Sequence, residues 1–108
     1  MSLKINYNII TNEGYEFEWD PNKDAKNQEK HGISFTEAAS VFDDTIAITI
    51  PDTAHSKDEE RFVILGASSS NKIVVVIFCV RGKDEKIRII SARKATKEER
   101  REYSSQLC

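Results

Sequence analysis

The 108-residue sequence predicts one α+β domain, an antiparallel β-sheet meander with helices packed on one face. Three observations predict it. Four strand-like runs follow one another after residue 44, the later ones separated by short turn signals. Two Ser/Thr-x-x-Glu capping boxes, at Ser34 and Thr96, each open a segment of helical character. An alternating run, "YEFEWD", precedes them all, so the expected order is β-α-α-β-β-β-β-α.

Each element has a local reason. In "YEFEWD" the aromatics Tyr15, Phe17 and Trp19 share one face, and Glu16, Glu18 and Asp20 share the other, solvated one. Asp20-Pro21 supplies an N-cap and a first-turn proline for "PNKDAKNQEKH", which Gly32 stops. Ser34 caps the next helix while Glu37 reaches back to it, and Phe35, Ala38, Ala39 and Phe42 form its apolar stripe. After Asp43-Asp44 the period becomes that of strands: "TIAITI" (45–50), "RFVILGA" (61–67), "KIVVVIFCVR" (72–81) and "KIRIISA" (86–92). A polar loop, "PDTAHSKDEE", separates the first two, while "SSSN" and Gly82-Lys83-Asp84-Glu85 turn the later ones. "RKAT" turns the chain into a last helix, roughly Lys97–Ser105, opened by the Thr96/Glu99 box.

Residues 15–108 make the single domain, and 1–14 show no firm period and form a loose leader or an extra edge strand. Folding a chain of this length buries roughly 60–70% of the surface its unfolded form exposes. A hydrophobic content of 39% with 31% charged residues fits a globular chain rather than a disordered one. The longest apolar run, "IVVVIFCV", has eight residues, a buried strand rather than a membrane span. The start shows no charged-then-apolar secretory pattern, and Cys79 and Cys108 do not read as a disulfide framework. A reducing, cytoplasmic setting is therefore the expectation.

The net charge of −2 hides an asymmetry. Residues 1–60 hold 5 Lys/Arg against 13 Asp/Glu, and residues 61–108 hold 11 against 5. A basic half of this kind attracts a polyanion or an acidic partner segment, unless the charges only solvate the surface. Asp52, His55, Asp58, Glu59 and Glu60 put hard ligands in the polar loop, but at no dedicated spacing; no metal site is expected. No phosphate-cradling glycine loop or Cys/His zinc pattern is present, and no cofactor is expected.

The strings "FEWDPNK", "KHGISFTEA", "VFDD", "PDTAHSKDEERFVILG" and "IRIISARKATKEERREY" occur in that order. Together, over about residues 17–103, they resemble the BrnT family of toxins from bacterial type II toxin–antitoxin systems. The resemblance implies a RelE-like fold, metal-free endonucleolytic cleavage of RNA, arrest of translation, and neutralisation by a BrnA-type antitoxin. It further implies that operator DNA is bound only through that antitoxin, with a dimer or a toxin–antitoxin heterotetramer as the assembly.

Metal-free RNA cleavage needs a base for the ribose 2′-hydroxyl, an acid for the leaving 5′ oxygen, and cations for the transition-state charge. Arginine suits the last task, because its planar fork grips phosphate oxygens and stays charged. Candidate catalytic cations are Arg61, Arg81, Arg93 and Lys94, with His31 and His55 as acid or base. Lys30, Arg88 and Tyr103 are candidate RNA contacts. Bland readings stand beside these: Arg88 as the solvated face of a strand, His31 as a helix-end cap, Tyr103 as an anchor for its helix. Lys97, Arg100 and Arg101 have Glu neighbours at helical spacing and read as surface pairs. The sharpest expectation is that Arg93, Lys94 and the free N–H groups of the last helix grip one phosphate together. Two other classes remain open: a noncatalytic nucleic-acid-binding module, and a protein whose basic face docks an acidic partner.

Overall fold

The structure, a computed structural model, describes residues 16–52, 60–81 and 86–107. The leader 1–14, Tyr15, His55 with most of the polar loop, the turn at 82–85 and Cys108 lie outside the described residues.

Five strands form one sheet in the order β1-β5-β4-β3-β2, where β1 is Phe17–Glu18, β2 Ile48–Pro51, β3 Glu60–Ala67, β4 Ile73–Arg81 and β5 Lys86–Lys94. Strands β2 to β5 are the expected antiparallel meander. The sheet as a whole is mixed, because β1 pairs parallel to β5, Phe17 opposite Ile87 and Glu18 opposite Arg88. A two-residue pairing across 70 positions of sequence leaves no local trace.

Helix α1 (Pro21–His31) and helix α2 (Phe35–Ser40) connect the β1 edge of the sheet to the β2 edge. Asp20 caps α1 by accepting from the Asn22 N–H at 2.8 Å. Gly32 ends it at φ +72°, a left-handed turn that costs glycine nothing. The α2 stripe is buried as expected, and Phe42 meets Phe17 and Phe78 edge-on at 5.0 and 4.9 Å. Those rings, with Trp19, Ile33, Phe35, Ile64, Val74, Val76, Ile87 and Ile89, fill the core on one face.

Helices cover both faces, not one. Val75 lies between Val74 and Val76 and points away from that core, into a second cluster with Leu65, Ala95 and Tyr103. Tyr103 belongs to α3 (Lys97–Ser104), so α3 packs on the opposite face from α1 and α2.

Two strand boundaries and one cap differ from the expectation. Strand β2 starts at Ile48 rather than Thr45, because the Asp44 side chain accepts from the Ile46 N–H (3.1 Å) and its carbonyl from the Ala47 N–H (3.2 Å). Only half of the Ser34 capping box exists: Ser34 accepts from the Glu37 N–H at 3.0 Å. The Glu37 carboxylate instead accepts from the Ser68 and Ser70 hydroxyls, at 2.7 and 2.5 Å, and ties α2 to the β3–β4 turn. Strand β5 runs on to Lys94, so Arg93 and Lys94 are strand residues and not a turn.

The pairing of β4 with β5 slips by one residue between Ile77 and Phe78, which leaves Ile90 as a bulge. Strict alternation would put Arg88 and Arg93 on opposite faces. The bulge puts both on the face of α3 and keeps Ile87, Ile89 and Ala92 together in the main core.

Candidate active site

Side chains opposite one another in a sheet share a face, and here that rule assembles a row. Cys79 on β4 is opposite Arg61 on β3 and Arg88 on β5, and Arg88 is opposite Glu18 on β1. Asp52, just past β2, extends the row: its N–H donates to the Arg61 carbonyl at 2.7 Å, and its Oδ2 lies 3.6 Å from Arg61 Nε. With strands about 4.8 Å apart, the Arg61 and Arg88 α-carbons are about 10 Å apart, close enough for two long side chains to converge.

The row lies on the α3 face but beyond α3. Leu65 and Val75, which α3 covers, are each four residues from Arg61 and Cys79, about 13 Å along the strands. The Arg61 side chain keeps 30% of its surface exposed, Cys79 is buried, and Glu18 is only 7% exposed. The result is a row of two arginines on either side of a buried thiol, with a carboxylate at either end.

Lys94, past the bulge, is opposite Val74 and so belongs to the other face, where its charge and that of Lys72 act on Glu37. Burial pushes the Glu37 carboxyl up, but the two serine hydroxyls and these lysines outweigh it and hold it below its ordinary value. Lys30 and His31 end α1, which Asn27 fastens to β5 at Ala92, four residues beyond Arg88. Arg81 ends β4 opposite Lys86; only its backbone is described.

At the strand-to-helix junction, where the sequence predicts a phosphate grip, Arg93 has a partner within the chain. Arg93 holds Glu99 through both ends of its fork, Nη1 to Oε1 at 2.8 Å and Nη2 to Oε2 at 3.0 Å. Glu99 Oε1 also accepts from the Thr96 N–H at 2.8 Å, and Thr96 Oγ1 accepts from the Glu99 N–H at 3.2 Å. The Arg93 fork and this capping box hold the Glu99 carboxyl down at about 2. Arg93 therefore fastens α3 to β5.

Tyr103, a candidate RNA contact, is docked inside the fold. It is 8% exposed, and its hydroxyl donates to Asp44 Oδ2 at 2.6 Å. Burial and that carboxylate push the phenol up to about 12. Asp44 also accepts from the Ala67 N–H at 2.8 Å, so it joins α3, β3 and the α2–β2 connection. Burial raises the Asp44 carboxyl, while its three hydrogen bonds more than offset that and leave it lowered.

A groove of about 510 Å³ opens on the other face, lined by Phe42, Phe62, Phe78, Val80 and Ile87. Its only ionisable lining residue among the described ones is Asp44, so it does not suit a polyanion. Among the described residues no three His, Cys, Asp or Glu side chains gather as metal ligands, and no helix is long and apolar enough to cross a membrane.

Residues 19–99 match the family model described as "Ribonuclease toxin, BrnT, of type II toxin-antitoxin system". The chain belongs to the BrnT family. The ribonuclease toxin BrnT of Brucella abortus, a crystal structure at 1.1 Å, is 28% identical and superimposes with a TM-score of 0.57. That match covers 73% of this chain and 94% of the Brucella chain. No curated protein sequence matches. The α+β architecture with a five-stranded mixed sheet and three helices is thus similar to a BrnT toxin, and membership implies an RNA substrate and an antitoxin partner.

The placement of two carboxylates escaped sequence reasoning. Glu18 reads as a solvated-face acid from its alternation with Phe17 and Trp19, yet it is buried with them. Asp44 stood in the recognised string "VFDD", yet its partners are 23 and 59 residues away and nothing local announces them.

Proposed function

We propose that this chain is a metal-independent endoribonuclease whose site is the Arg61–Arg88 row. The single observation that carries the reading is the register, which places two arginines on one face, one strand apart on either side of Cys79. Attack of a ribose 2′-hydroxyl on the adjacent phosphorus puts extra negative charge on the non-bridging oxygens. Fixed guanidiniums stabilise that charge without reorganising, and removal of one such donor costs about 10²–10³ in rate. The products are a 2′,3′-cyclic phosphate and a 5′-hydroxyl end. Arg81 stands as a further cation, since β4 ends two residues past Cys79.

The family resemblance supports the biological frame: a RelE-like cytoplasmic toxin that arrests translation and is neutralised by a BrnA-type antitoxin. The antitoxin brings the complex to operator DNA, as a dimer or heterotetramer. Incubation of the protein with single-stranded RNA in EDTA tests the reading. Cutting with cyclic-phosphate ends is the expected result. Loss of cutting in EDTA with rescue by magnesium would overturn the metal-free mechanism, and RNA binding without cutting would make the chain a binding module.

A further inference from the structure

We propose that Glu18 is the general base of this site, an inference that rests on the ribonuclease reading above. Four observations lead to it. Register sets Glu18 opposite Arg88, at one end of the cationic row. Its neighbours Phe17 and Trp19 are 0% and 1% exposed in the main core, so alternation fixes Glu18 on the Arg88 face. Glu18 itself is 7% exposed, where an acid on a solvated strand face stays in water. Finally, α1, which carries His31, is fastened by Asn27 to β5 at Ala92, four residues beyond Arg88.

The other carboxylate of the row, Asp52, lies beside Arg61 at 3.6 Å and serves as that arginine's counter-ion. Among the described residues, the titratable groups near Glu18 on its face are Arg88 and Lys86 on β5, Cys79 on β4 and Arg61 on β3 with Asp52 beside it, while Arg93 shares the face farther along β5, past the bulge. With a phosphate held between Arg88 and Arg61, the adjoining ribose is presented toward β1. The Glu18 carboxylate takes the proton of the 2′-hydroxyl as the O2′–P bond forms. The P–O5′ bond breaks, the 5′ oxygen takes a proton from water, and Glu18 returns its proton to solvent.

The test compares Glu18→Gln, Glu18→Asp, Asp52→Asn and Arg61→Ala with the wild type, by RNA affinity, cleavage at saturating RNA across pH, and thermal melting. Glu18→Gln should bind RNA as the wild type does, cut about 10²–10⁴-fold more slowly, and lose the acid limb of the pH–rate profile. Glu18→Asp should recover part of the rate with the limb restored. Normal cutting by Glu18→Gln with the limb intact overturns the proposal, and so does a loss confined to affinity, which would make Glu18 only a support for Arg88. Transfer of the limb's loss to Asp52→Asn overturns it as well. If Glu18→Gln fails to fold, Glu18→Asp decides: an unshifted acid limb at full rate rejects the base role. Arg61→Ala separates the two levels, because wild-type cutting by that variant sinks the site reading itself, whereas its inactivity beside a normal Glu18→Gln sinks only this inference.

Discussion

Asn27 shows how much one buried side chain can hold. Its amide donates to the Ile33 and Ala92 carbonyls, both at 2.8 Å, and accepts from the Ala92 N–H at 3.2 Å. It thereby pins α1 to β5. Asn27→Ala leaves buried backbone groups unpaired, each at about 1–3 kcal/mol. At about 4–8 °C per kcal/mol the melting temperature should drop clearly in a calorimetric scan, while RNA cleavage by the folded fraction stays normal. Asp44 and Tyr103 make the second residue-scale case. Tyr103→Phe should cost about 1.5–3 kcal/mol, the worth of a hydrogen bond to a charged group, and leave RNA affinity unchanged. An affinity loss in a titration of that variant would return Tyr103 to the RNA surface. Neither partnership was legible, since Asn27 and Ala92 are 65 positions apart and Tyr103 and Asp44 are 59 apart. Sequence shows that a polar residue exists, not that it is buried.

Elements were more legible where their signals are local. Asp20, Pro21 and Gly32 bound α1 because caps act within one turn, and Thr96 with Glu99 opens α3 for the same reason. Strand β5 was harder, because its bulge exists only in relation to β4 and its two extra residues are paired there. The Arg93–Glu99–Thr96 lock gives a pH prediction. The Glu99 carboxyl is lowered from 4.5 to about 2, so its contribution is fully present above its unfolded value and is lost as pH falls through the folded one. Stability should therefore decline between about pH 4.5 and pH 2, and Glu99→Gln should flatten that part of a denaturation-versus-pH curve. The β2–β3 edge gives another. A Cβ on Gly66 would lie 2.9 Å from the Ala47 Cβ and 3.0 Å from Val41 Cγ1. Gly66→Ala should destabilise by about 1–3 kcal/mol in urea unfolding, as overpacked cores do.

At the scale of the molecule, the sheet sorts functions between its faces. One face is the aromatic core under α1 and α2; the other carries α3 at one end and the arginine row at the other. The charge asymmetry of the sequence left a polyanion, an acidic partner and a merely solvated surface open, and the family implies RNA as a substrate. What composition could not show is which basic residues meet, because β-register is a long-range property. Arg93 and Lys94 are adjacent in sequence and face opposite ways, whereas Arg61 and Arg88 are distant in sequence and share a face. The measurement that tests this most directly is cleavage of single-stranded RNA in EDTA by Arg61→Ala, Arg88→Ala and Arg93→Ala, each corrected for its folded fraction from a thermal melt. The row predicts that the first two melt like the wild type and lose about 10²–10³ in rate, while Arg93→Ala melts earlier and still cuts. A folded Arg93→Ala that no longer cuts, beside active Arg61→Ala and Arg88→Ala variants, would contradict it and move the site to the start of α3.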